Sequence, residues 1–450
     1  MKRICEDTIN EWIDNSNKAL LIYGARQVGK TYIVEDVLNK RNISYVKIDF
    51  VENKEILKKI SNLDTANEII DLIELYSNVK LEENKSIIFL DEIQLYPDII
   101  TKIKYLVDNG KYRYILSGSN LGIELKNIHS FPDGYVEELK MYPMNFFEFC
   151  MALGVQEKTL LHIKECFNKK IKVDDMIHEK MIGLFYNYLM CGGMPDVVKN
   201  FVTNKNLRTV NETQQHLLKD YKKDFTKYED ENKRLKIIEI FNSIPSELDK
   251  QNRRFIFTEL NKELKFDRYE ESFLWLKNSA TALCVYNVDE PVKPLIRAKS
   301  ANLFKLFQSD VGLLTSCYSN DTIHKLLEQN KDNEINNGAL FENFVCQELV
   351  SQDNEVYYYK SKNIGEIDFI IEHHGHLIPI EVKSGKDYKS HKALNNLLNK
   401  KEYKINEAIV FSTNNVETVN NITYLPIYMT SLIKKEKLED TFIDIDIKGL

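Results

Sequence analysis

The sequence lacks the patterns that mark secreted, membrane-spanning or fibrous proteins. Its seven cysteines are scattered and form no C-x-x-C pair, which favours buried thiols in a reducing compartment. Glycine and proline form no rich tract, and no repeat of fixed period is present. The first residues, Met1–Asp7, lack the apolar run of a signal peptide, and no apolar window is long enough to span a membrane. These absences predict a cytoplasmic protein without a membrane partner.

Positive charge is not in excess either, since the formal net charge is −7 at pH 7. Nucleic-acid binding would therefore depend on a local basic face rather than on the whole protein. The chain has 450 residues, of which 43% are hydrophobic. A chain of this length is too long for one hydrophobic core, so we expect two or three domains.

The most informative stretch lies near the N-terminus, where a short apolar strand runs into the sequence GARQVGKT. This is the G-x-x-x-x-G-K-T pattern of a P-loop, which cradles nucleotide phosphates between a strand and a helix. Its glycines allow backbone angles that turn N–H groups toward phosphate, and a helix over Tyr32–Lys40 would present its positive end. We expect Lys30 to bind the β- and γ-phosphates and the Thr31 hydroxyl to ligate Mg²⁺. The expected nucleotide-binding residues are Gly24, Ala25, Arg26, Gln27, Val28, Gly29, Lys30 and Thr31.

A second strand pattern supplies carboxylates. Residues 85–92, KSIIFLDE, place four apolar residues before Asp91 and Glu92. Such a run is typical of a parallel strand buried on both faces, which carries the acids to the sheet edge where ligands bind. Asp91 is then a predicted Mg²⁺ ligand, and Glu92 the general base for the attacking water. Without the P-loop upstream, the same pattern would indicate an ordinary strand end.

A third strand, over residues 112–120, ends in the small polar sequence SGSN. In P-loop ATPases with a strand inserted between the P-loop strand and the acidic strand, this position senses the γ-phosphate. Ser119 and Asn120 are therefore candidate contacts to that phosphate or to the attacking water. A strand-to-loop turn rich in serine, glycine and asparagine explains these two residues equally well.

Several segments together resemble one family. The motifs are GARQVGKT, FLDEIQLYP, YILSGSN, YPMNFFEF, CGGMPDVV and LFKLFQSDVGLL, and the similarity runs from about residue 17 to about residue 412. They are similar to those of prokaryotic AAA-type P-loop ATPases that carry a C-terminal domain of unknown function. That C-terminal domain resembles PD-(D/E)XK nucleases.

The resemblance implies an α/β fold in three parts. Residues 1–200 would form an AAA-type ATPase domain, a parallel sheet with a helical lid over about 144–200. Residues 201–325 would be mostly helical and winged-helix-like, with Phe255–Phe257 as a wing strand, and residues 326–450 would form a restriction-endonuclease-like α/β domain. The resemblance favours ATP over GTP, and no N-K-x-D motif for guanine is found. ATP and Mg²⁺ are thus the expected cofactors.

The sequence departs from that family where an arginine finger is expected. Many relatives carry a basic residue just before the last strand of the ATPase sheet, whereas this chain has Gly134-Tyr135. Because an arginine finger increases the rate by orders of magnitude, ATP binding is better supported than efficient hydrolysis. Arg26 and Arg113 are alternative cations, although solvated or structural roles are the safer interpretation of both. An arginine supplied in trans would require a homo-oligomer, and the sequence leaves the oligomeric state open.

A second chemical pattern lies near the C-terminus, where Asp368, Glu381 and Lys383 follow the spacing D-x₁₂-E-x-K. If His374-Gly375 forms a two-residue hairpin turn, Asp368 lies opposite Glu381, with Cβ atoms about 4.5–5.5 Å apart. Two such carboxylates can share one Mg²⁺ ion, and Lys383 lies on the same face as Glu381. The pattern matches PD-(D/E)XK nucleases, in which the lysine stabilises the hydroxide or the charge on phosphorus. An amphipathic hairpin with solvated charges is the alternative.

Glu342 is a third candidate carboxylate. It lies in a predicted helix over residues 339–350, on the same face as Val345, Cys346 and Leu349. A charged group on an apolar stripe is costly unless it is paired or bound to metal, and the nuclease resemblance places a helix glutamate in such a role. A salt bridge at the helix edge is the alternative. The expected catalytic set is Asp368, Glu381, Lys383 and Glu342, in addition to Glu92, with Asp368 and Glu381 as metal ligands.

Basic charge is concentrated beside this hairpin. Residues 383–404 contain seven lysines and two acidic residues. Charge runs are usually solvated faces, but the neighbouring phosphodiester-type site raises the prospect of a contact with DNA. His373, His374 and His376 fall in the predicted turn, where exposed histidines are ordinary, so we expect no transition metal there.

The sequence thus predicts an ATP-binding, ATP-hydrolysing AAA-type protein with a fused nuclease-like domain that acts on DNA. The alternative is a nucleotide-gated module whose C-terminal domain binds DNA or a protein without cutting. A third hypothesis is an NTPase that controls another protein and has no nucleic-acid partner.

Overall fold

The computed structural model describes residues 1–119, 132–225, 231–250, 269–327 and 337–436. Its N-terminal part contains a five-stranded, fully parallel sheet in the order β2-β3-β4-β1-β5. The parallel sheet predicted for a P-loop fold is therefore confirmed. The strands are β1 (Ala19–Gly24), β2 (Tyr45–Asp49), β3 (Ile87–Asp91), β4 (Arg113–Ser119) and β5 (Val136–Met141).

The order of these strands brings the P-loop and the acidic residues together. β4 lies between β1, which leads into the P-loop, and β3, which ends in Asp91. Because the strands are parallel, their carboxyl ends meet at one edge of the sheet. All five residues of β3 are buried, as expected for an apolar run covered on both faces. The helices of this part are α1 (Cys5–Asn15), α2 (Lys30–Lys40), α3 (Lys54–Ser61), α4 (Ala66–Tyr76) and α5 (Ile99–Asn109).

Helices dominate the described residues between 146 and 278. The first begins after Asn145, whose side chain accepts a hydrogen bond from the Glu148 N–H while the Glu148 carboxylate accepts one from the Asn145 N–H. This capping box fixes the helix start. None of the helices in the described ranges is both long and apolar enough to cross a lipid bilayer. The helices are α6 (Phe146–Ala152), α7 (Glu157–Lys169), α8 (Asp175–Cys191), α9 (Pro195–Asn204), α10 (Leu207–Phe225), α11 (Glu231–Asp249) and α12 (Glu270–Asn278).

A second sheet of eight strands occupies the C-terminal half, in the order β12-β13-β11-β10-β9-β8-β6-β7. Its strands are β6 (Ala282–Val288), β7 (Lys299–Gln308), β8 (Tyr357–Ser361), β9 (Gly365–His373), β10 (His376–Val382), β11 (Ala408–Ser412), β12 (Glu417–Val419) and β13 (Ile422–Pro426). The accompanying helices are α13 (Val311–Thr315), α14 (Asn320–Leu327), α15 (Gly338–Ser351) and α16 (Lys392–Leu398). The longest, α15, is buried from Ala339 to Leu349.

Residues 201–325, predicted to be mostly helical, also contain the two strands β6 and β7. These strands pair with each other, and β6 joins the C-terminal strands through β8. In β7, Phe304 and Phe307 are both buried, and a short apolar run of this kind cannot be assigned to strand or helix from periodicity alone. The sheet therefore crosses the boundary predicted between residues 325 and 326. The wing strand predicted at residues 255–257 lies outside the described residues, so the winged helix stays a prediction.

The helical layer and the C-terminal sheet meet at the glycine pair between α8 and α9. The Gly193 N–H donates to Asp310 Oδ2 at 2.6 Å, and the Met144 N–H donates to the Gly193 carbonyl at 2.7 Å. A side chain at Gly193 would overlap the Met144 carbonyl, and one at Gly192 would overlap Asp310. One hydrophobic cluster contains residues of α2, α8 and α15, so the two halves of the protein share a core.

Candidate functional site

The P-loop joins the end of β1 to the start of α2, as the sequence predicts. Gly24 has a φ angle of 155° and lies against β5, where an added Cβ atom would overlap the Met141 carbonyl. Gly29 has a φ angle of 92° and is the last residue before α2. Both positions require glycine. Gly24 lies too close to the β5 backbone for a side chain, and Gly29 has a backbone angle that other residues rarely adopt. The unpaired N–H groups at the start of α2 provide a site for an anion.

Lys30 lies inside the P-loop and not in solvent. Its side chain is buried, and Nζ donates to the carbonyl oxygens of Ala25 at 2.9 Å and Gly24 at 3.3 Å. Burial lowers the pKa of Lys30 to about 8, although the nearby carboxylates of Glu92 and Asp91 oppose the shift. Phosphate oxygens would supply the close negative charge that stabilises this ammonium group.

Thr31 and Asp91 are in direct contact. Thr31 Oγ1 donates to Asp91 Oδ2 at 2.7 Å, and Asp91 is almost fully buried. Its other oxygen accepts hydrogen bonds from the Ser117 hydroxyl and, at 3.0 Å, from the Glu92 N–H. Lys47 Nζ is 4.0 Å from the same carboxylate. A hydroxyl and a carboxylate at this sheet edge are oxygen ligands of the kind that Mg²⁺ prefers, so these residues fit the expected ion.

Glu92 follows Asp91 and adopts a left-handed backbone with a φ angle of 58°. Such a conformation is uncommon for a residue with a side chain and clusters at functional sites. Gln94 Nε2 donates to the Glu92 carboxylate and, at 3.2 Å, to Ser119 Oγ. Gln94 therefore orients the predicted general base, a role that the sequence reasoning missed. The signal that could have found it is its position two residues after Glu92.

Ser119 lies at the same edge, because it ends β4 and is paired with Gly24 of β1. Its N–H donates to Gln94 Oε1 at 3.2 Å. The contacts of Ser119 are therefore with Gln94, and Gln94 in turn contacts Glu92. Asn120 lies outside the described residues, so its contact with the γ-phosphate stays a prediction.

The two arginines considered from sequence both have protein partners. Arg26 forms an ion pair with Asp224 of α10, and the Tyr221 hydroxyl of the same helix donates to the Arg26 carbonyl at 3.1 Å. Arg113 donates to three main-chain carbonyls at the end of α1, at 2.7 and 2.8 Å. It also stacks over the Trp12 ring at 4.4 Å. These contacts support structural roles for both guanidinium groups.

A cavity of about 560 Å³ opens at the P-loop, a size in the usual range of ligand pockets. The P-loop and Glu92 form one side, and the helical layer and the N-terminus form the other. Arg3 braces this second side, since its guanidinium donates to the Val28 carbonyl at 2.8 Å and to Glu148 at 3.1 Å. The sequence reasoning gave the remaining lining residues no role at this site, although Met144, Pro195 and Asp196 lie in the motifs YPMNFFEF and CGGMPDVV. The remaining lining residues are Met1, Tyr32, Met144, Pro195, Asp196 and Lys199.

The C-terminal hairpin has the predicted register. β9 and β10 are antiparallel, with Phe369 opposite Ile380. The turn at residues 374–375 has φ angles of 47° and 66°, as a two-residue turn with two left-handed positions requires. The next positions in this register are Asp368 and Glu381, so the hairpin brings the two predicted carboxylates together.

The contacts of these carboxylates form a compact charged group. Asp368 Oδ2 accepts a hydrogen bond from the Val382 N–H at 2.9 Å, and Lys383 Nζ lies 3.1 Å from Glu381 Oε2. Burial raises the pKa of Glu381 to about 8, the charge of Asp368 adds to the shift, and Lys383 opposes it. Neighbouring carboxylates that repel each other in this way are suited to a shared divalent cation.

Glu342 is buried in α15 and lies near a lysine that the sequence reasoning missed. Lys305 Nζ is 3.9 Å from Glu342 Oε2 and 2.7 Å from Glu366 Oε1, while Lys360 Nζ is 2.6 Å from Glu366 Oε2. Burial alone would raise the pKa of Glu366, but the charges of Lys305 and Lys360 outweigh it and lower the pKa to about 2. Glu366 lies two residues before Asp368 and therefore on the same face of β9, and this spacing is the signal that could have identified it from the sequence. Lys305 lies in the motif LFKLFQSDVGLL, to which the sequence reasoning assigned no chemical role.

Two histidines of the hairpin turn lie beside Glu436. His374 Nδ1 is 2.9 Å from Glu436 Oε1, and His373 contributes a third ligand atom within 4.8 Å of the other two. His376 is not a member of this group. The expectation that no transition metal binds here stays a prediction.

Comparison with known proteins identifies the N-terminal part. The family model of an AAA domain matches residues 16–150. These residues are therefore similar to AAA domains, and they contain the P-loop and the parallel sheet described above. Two domains of unknown function, DUF8612 and DUF4143, match residues 182–323 and 337–429. Their descriptions assign no activity to the C-terminal half.

Individual relatives are distant. An uncharacterised protein of Methanocaldococcus jannaschii is 24% identical over 360 residues, which cover 79% of this chain and 72% of the relative. An uncharacterised 36.7 kDa protein of Enterobacteria phage T4 is 30% identical over 108 residues, 24% of this chain and 29% of its own length.

Solved structures are similar at low TM-scores. The Walker-type ATPase of Pyrococcus abyssi has a TM-score of 0.44 and 14% identity, covering 69% of this chain and 94% of its own. AMPPCP-bound DnaA from Aquifex aeolicus has a TM-score of 0.30 and 15% identity, covering 61% and 81%. ATP binding is supported by the AAA domain match and the P-loop geometry.

Proposed function

We propose that this protein hydrolyses Mg·ATP and couples the reaction to a nuclease-like C-terminal site that acts on DNA. The observation that carries the first part is the 2.7 Å contact of Thr31 with Asp91. This contact holds two ligand side chains for Mg²⁺ beside the buried ammonium group of Lys30 and the carboxylate of Glu92.

Each side chain of the nucleotide site has a separate task in this proposal. The P-loop N–H groups and Lys30 bind the β- and γ-phosphates, while Thr31 and Asp91 would hold Mg²⁺. The ion would neutralise charge on the phosphate oxygens. Glu92 positions the attacking water and takes its proton, and Gln94 keeps the Glu92 carboxylate aimed at the site.

ATP turnover measured with and without DNA tests the proposal most directly. We expect Mg²⁺-dependent turnover that DNA stimulates, and loss of both binding and turnover in Lys30→Ala. The exposed Lys85 provides the matched control, since Lys85→Ala should retain wild-type turnover. If the wild-type protein shows no Mg²⁺-dependent ATP turnover, the ATPase proposal is wrong. If DNA does not change the rate of turnover, the proposed coupling is wrong.

The C-terminal hairpin supports the second part of the proposal. Asp368 and Glu381 would hold a divalent cation, and Lys383 would stabilise negative charge on the attacking hydroxide or on phosphorus. The lysines of residues 383–404 provide a basic surface beside the hairpin for the DNA backbone.

Plasmid nicking with Mg²⁺ or Mn²⁺ tests this second part. We expect nicking by the wild-type chain and at least about 100-fold less in Asp368→Ala or Lys383→Ala, because removing one charged group of a catalytic set costs a factor of this order. Lys362 is exposed and outside the cluster, so Lys362→Ala should nick normally. Equal nicking by all variants would indicate a contaminating nuclease.

A non-cutting interaction module is the second candidate. It is favoured by the 3.1 Å contact between Lys383 and Glu381, because this lysine charge is engaged by the protein. Salt-dependent DNA binding without nicking would support this candidate. Absence of DNA binding would instead support control of another protein.

A homo-oligomer is part of the proposal, because a neighbouring copy could supply an arginine to the nucleotide site. Light scattering with and without ATP measures the assembly state. A chain that remains monomeric in ATP while turning it over would exclude an arginine supplied in trans.

A further inference from the structure

Lys305 is a fully buried lysine on the outermost strand of the eight-stranded sheet. Its exposed fraction is 0%, and β6 and β8 separate its strand, β7, from β9. The ammonium group lies 5.1 Å from the Tyr358 ring centroid on β8 and reaches Glu366 on β9 with an Nζ–Oε1 distance of 2.7 Å. A buried ammonium group is strongly destabilising without a partner. The side chains of Lys305 and Glu366 reach toward each other across β8 and β6, and their contact places a positive charge among the carboxylates.

The second carboxylate near Lys305 is the one expected to join the metal site. Glu342 Oε2 is 3.9 Å from Lys305 Nζ, and the Glu342 residue is 2% exposed. Asp368 and Glu381 make their closest polar contacts within the hairpin instead. The closest contacts thus form two groups, one joining Lys305 to Glu342 and Glu366 and the other at Asp368 and Glu381, although the charge of Lys305 also acts on Glu381.

We propose that Lys305 is a fixed cation of the C-terminal cluster that takes the place of a second metal ion. The cluster then accommodates one divalent cation, held by Asp368 and Glu381, and Glu342 is the counter-ion of Lys305 and not a metal ligand. This inference rests on the proposed function, because it concerns the same site, and it replaces the role expected for Glu342. It also adds to that site a residue that precedes the domain match at 337–429.

Mn²⁺ binding to the nucleotide-free, full-length chain tests the proposal without requiring cleavage. Asp91→Asn serves as a common background, because it removes the other carboxylate expected to hold a cation. Electron paramagnetic resonance measures free Mn²⁺ and so gives the number of bound ions and their affinity. We expect one ion per chain in this background, its loss in Asp368→Asn, and an unchanged ion in Glu342→Gln.

Lys305→Met is the decisive variant. Without this ammonium group, Glu342 loses the positive charge beside it and Glu366 keeps only Lys360, so we expect a second Mn²⁺ ion or about tenfold tighter binding. Lys305→Met combined with Glu342→Gln removes one charge of each sign, which protects folding, and should return to one ion. Lys360→Met removes the other lysine at Glu366 and is the matched control that should keep one ion.

Two results would overturn the proposal directly. One is an equal loss of Mn²⁺ in Glu342→Gln and Asp368→Asn, and the other is a single, unchanged ion in Lys305→Met. Absence of Mn²⁺ binding from every variant would overturn it as well. Absence of plasmid nicking while the expected Mn²⁺ pattern is observed would count against the nuclease proposal and not against the role of Lys305.

Discussion

Asp91 accepts three hydrogen bonds in a position that is 1% exposed. The donors are the hydroxyl groups of Thr31 and Ser117 and the N–H of Glu92. Several donors stabilise a buried carboxylate and fix its orientation. The same bonds hold the chain where Glu92 adopts its left-handed backbone conformation, so the proposed Mg²⁺ ligand and the proposed base are positioned together.

The assignment of Glu92 as general base gives the first residue-scale prediction. Glu92→Gln should lower kcat for ATP by about 10²–10⁴-fold, because the amide cannot accept the proton of the attacking water. ATP affinity should change little, since in the proposed mode of binding the phosphates contact the P-loop and Lys30 and not Glu92. Steady-state turnover and binding of a fluorescent ATP analogue measure the two effects separately.

Asp98 is a suitable control for this substitution because it is an exposed acid in the segment that follows β3. Asp98→Asn should retain wild-type kcat. Undiminished turnover in Glu92→Gln would assign the base to another residue, and loss of ATP binding would mean that the substitution disturbs the P-loop.

At the scale of an element, the P-loop depends on how closely β1 approaches β5. Gly24→Ala should lower the free energy of unfolding by about 3 kcal/mol or more, because the new Cβ atom would overlap the Met141 carbonyl. Gly110 also has a left-handed φ angle, 72°, but no atom lies within 4 Å of its added Cβ. Gly110→Ala should therefore cost about 1 kcal/mol, the backbone penalty alone. Urea unfolding of both variants separates the cost of the overlap from the backbone penalty. An equal loss of unfolding free energy in the two variants would contradict the predicted overlap at Gly24.

The elements that could be predicted from sequence are those whose pattern is local. The glycines of the P-loop, the apolar run before Asp91 and the His374-Gly375 turn each specify their geometry within about ten residues. The hairpin register followed from the turn, and it brought Asp368 to Glu381 across the strands.

The features that could not be predicted depend on tertiary contacts. β7 pairs with β6 and is covered by helices, so its apolar residues carry no period that distinguishes strand from helix. Lys305 lies in that strand and forms an ion pair with Glu366, which is 61 residues later in the sequence. The order of strands in the sheet brings the two residues together. Pro195 and Lys199 face the nucleotide cavity because α9 packs over the P-loop, a tertiary contact that the motif CGGMPDVV does not reveal by itself.

At the scale of the whole molecule, Glu348 links the helical layer to the C-terminal region. Its carboxylate accepts hydrogen bonds from the Phe146 N–H at 3.1 Å, from the Tyr188 hydroxyl at 3.5 Å and from the Ser431 hydroxyl. Burial raises the pKa of Glu348 from 4.5 to about 8, although these donors oppose the shift. The folded protein therefore keeps a proton on this group at pH values where the unfolded chain has lost it.

This difference predicts a pH dependence of stability. Between pH 4.5 and about 8 the folded state binds more protons at Glu348 than the unfolded state does, so its contribution to stability falls as pH rises. The slope for one proton is at most about 1.4 kcal/mol per pH unit. Glu348→Gln removes this titration. The free energy of unfolding, measured in urea, should therefore fall less between pH 4.5 and about 8 in this variant than in the wild type. Glu355→Gln, at an exposed position, should keep the wild-type slope, and identical slopes in all three proteins would contradict the role of Glu348.

The sheet order predicts how the chain can be divided. A fragment that begins at residue 326 lacks β6 and β7 and leaves the edge of β8 unpaired, which favours aggregation. A fragment that begins at residue 269 retains both strands. Hydrogen exchange at residues 357–361 should be faster in the shorter fragment, and equal protection in the two fragments would contradict the prediction.

The glycine pair before α9 has a mechanical consequence. Gly193 is hydrogen-bonded on one side to Met144, which lines the nucleotide cavity, and on the other to Asp310, which follows β7. If the proposed coupling operates, two short hydrogen bonds connect the cavity wall to the strand that carries Lys305 and provide a path for it. The nucleotide site and the C-terminal carboxylate cluster would then shift together about the glycine pair.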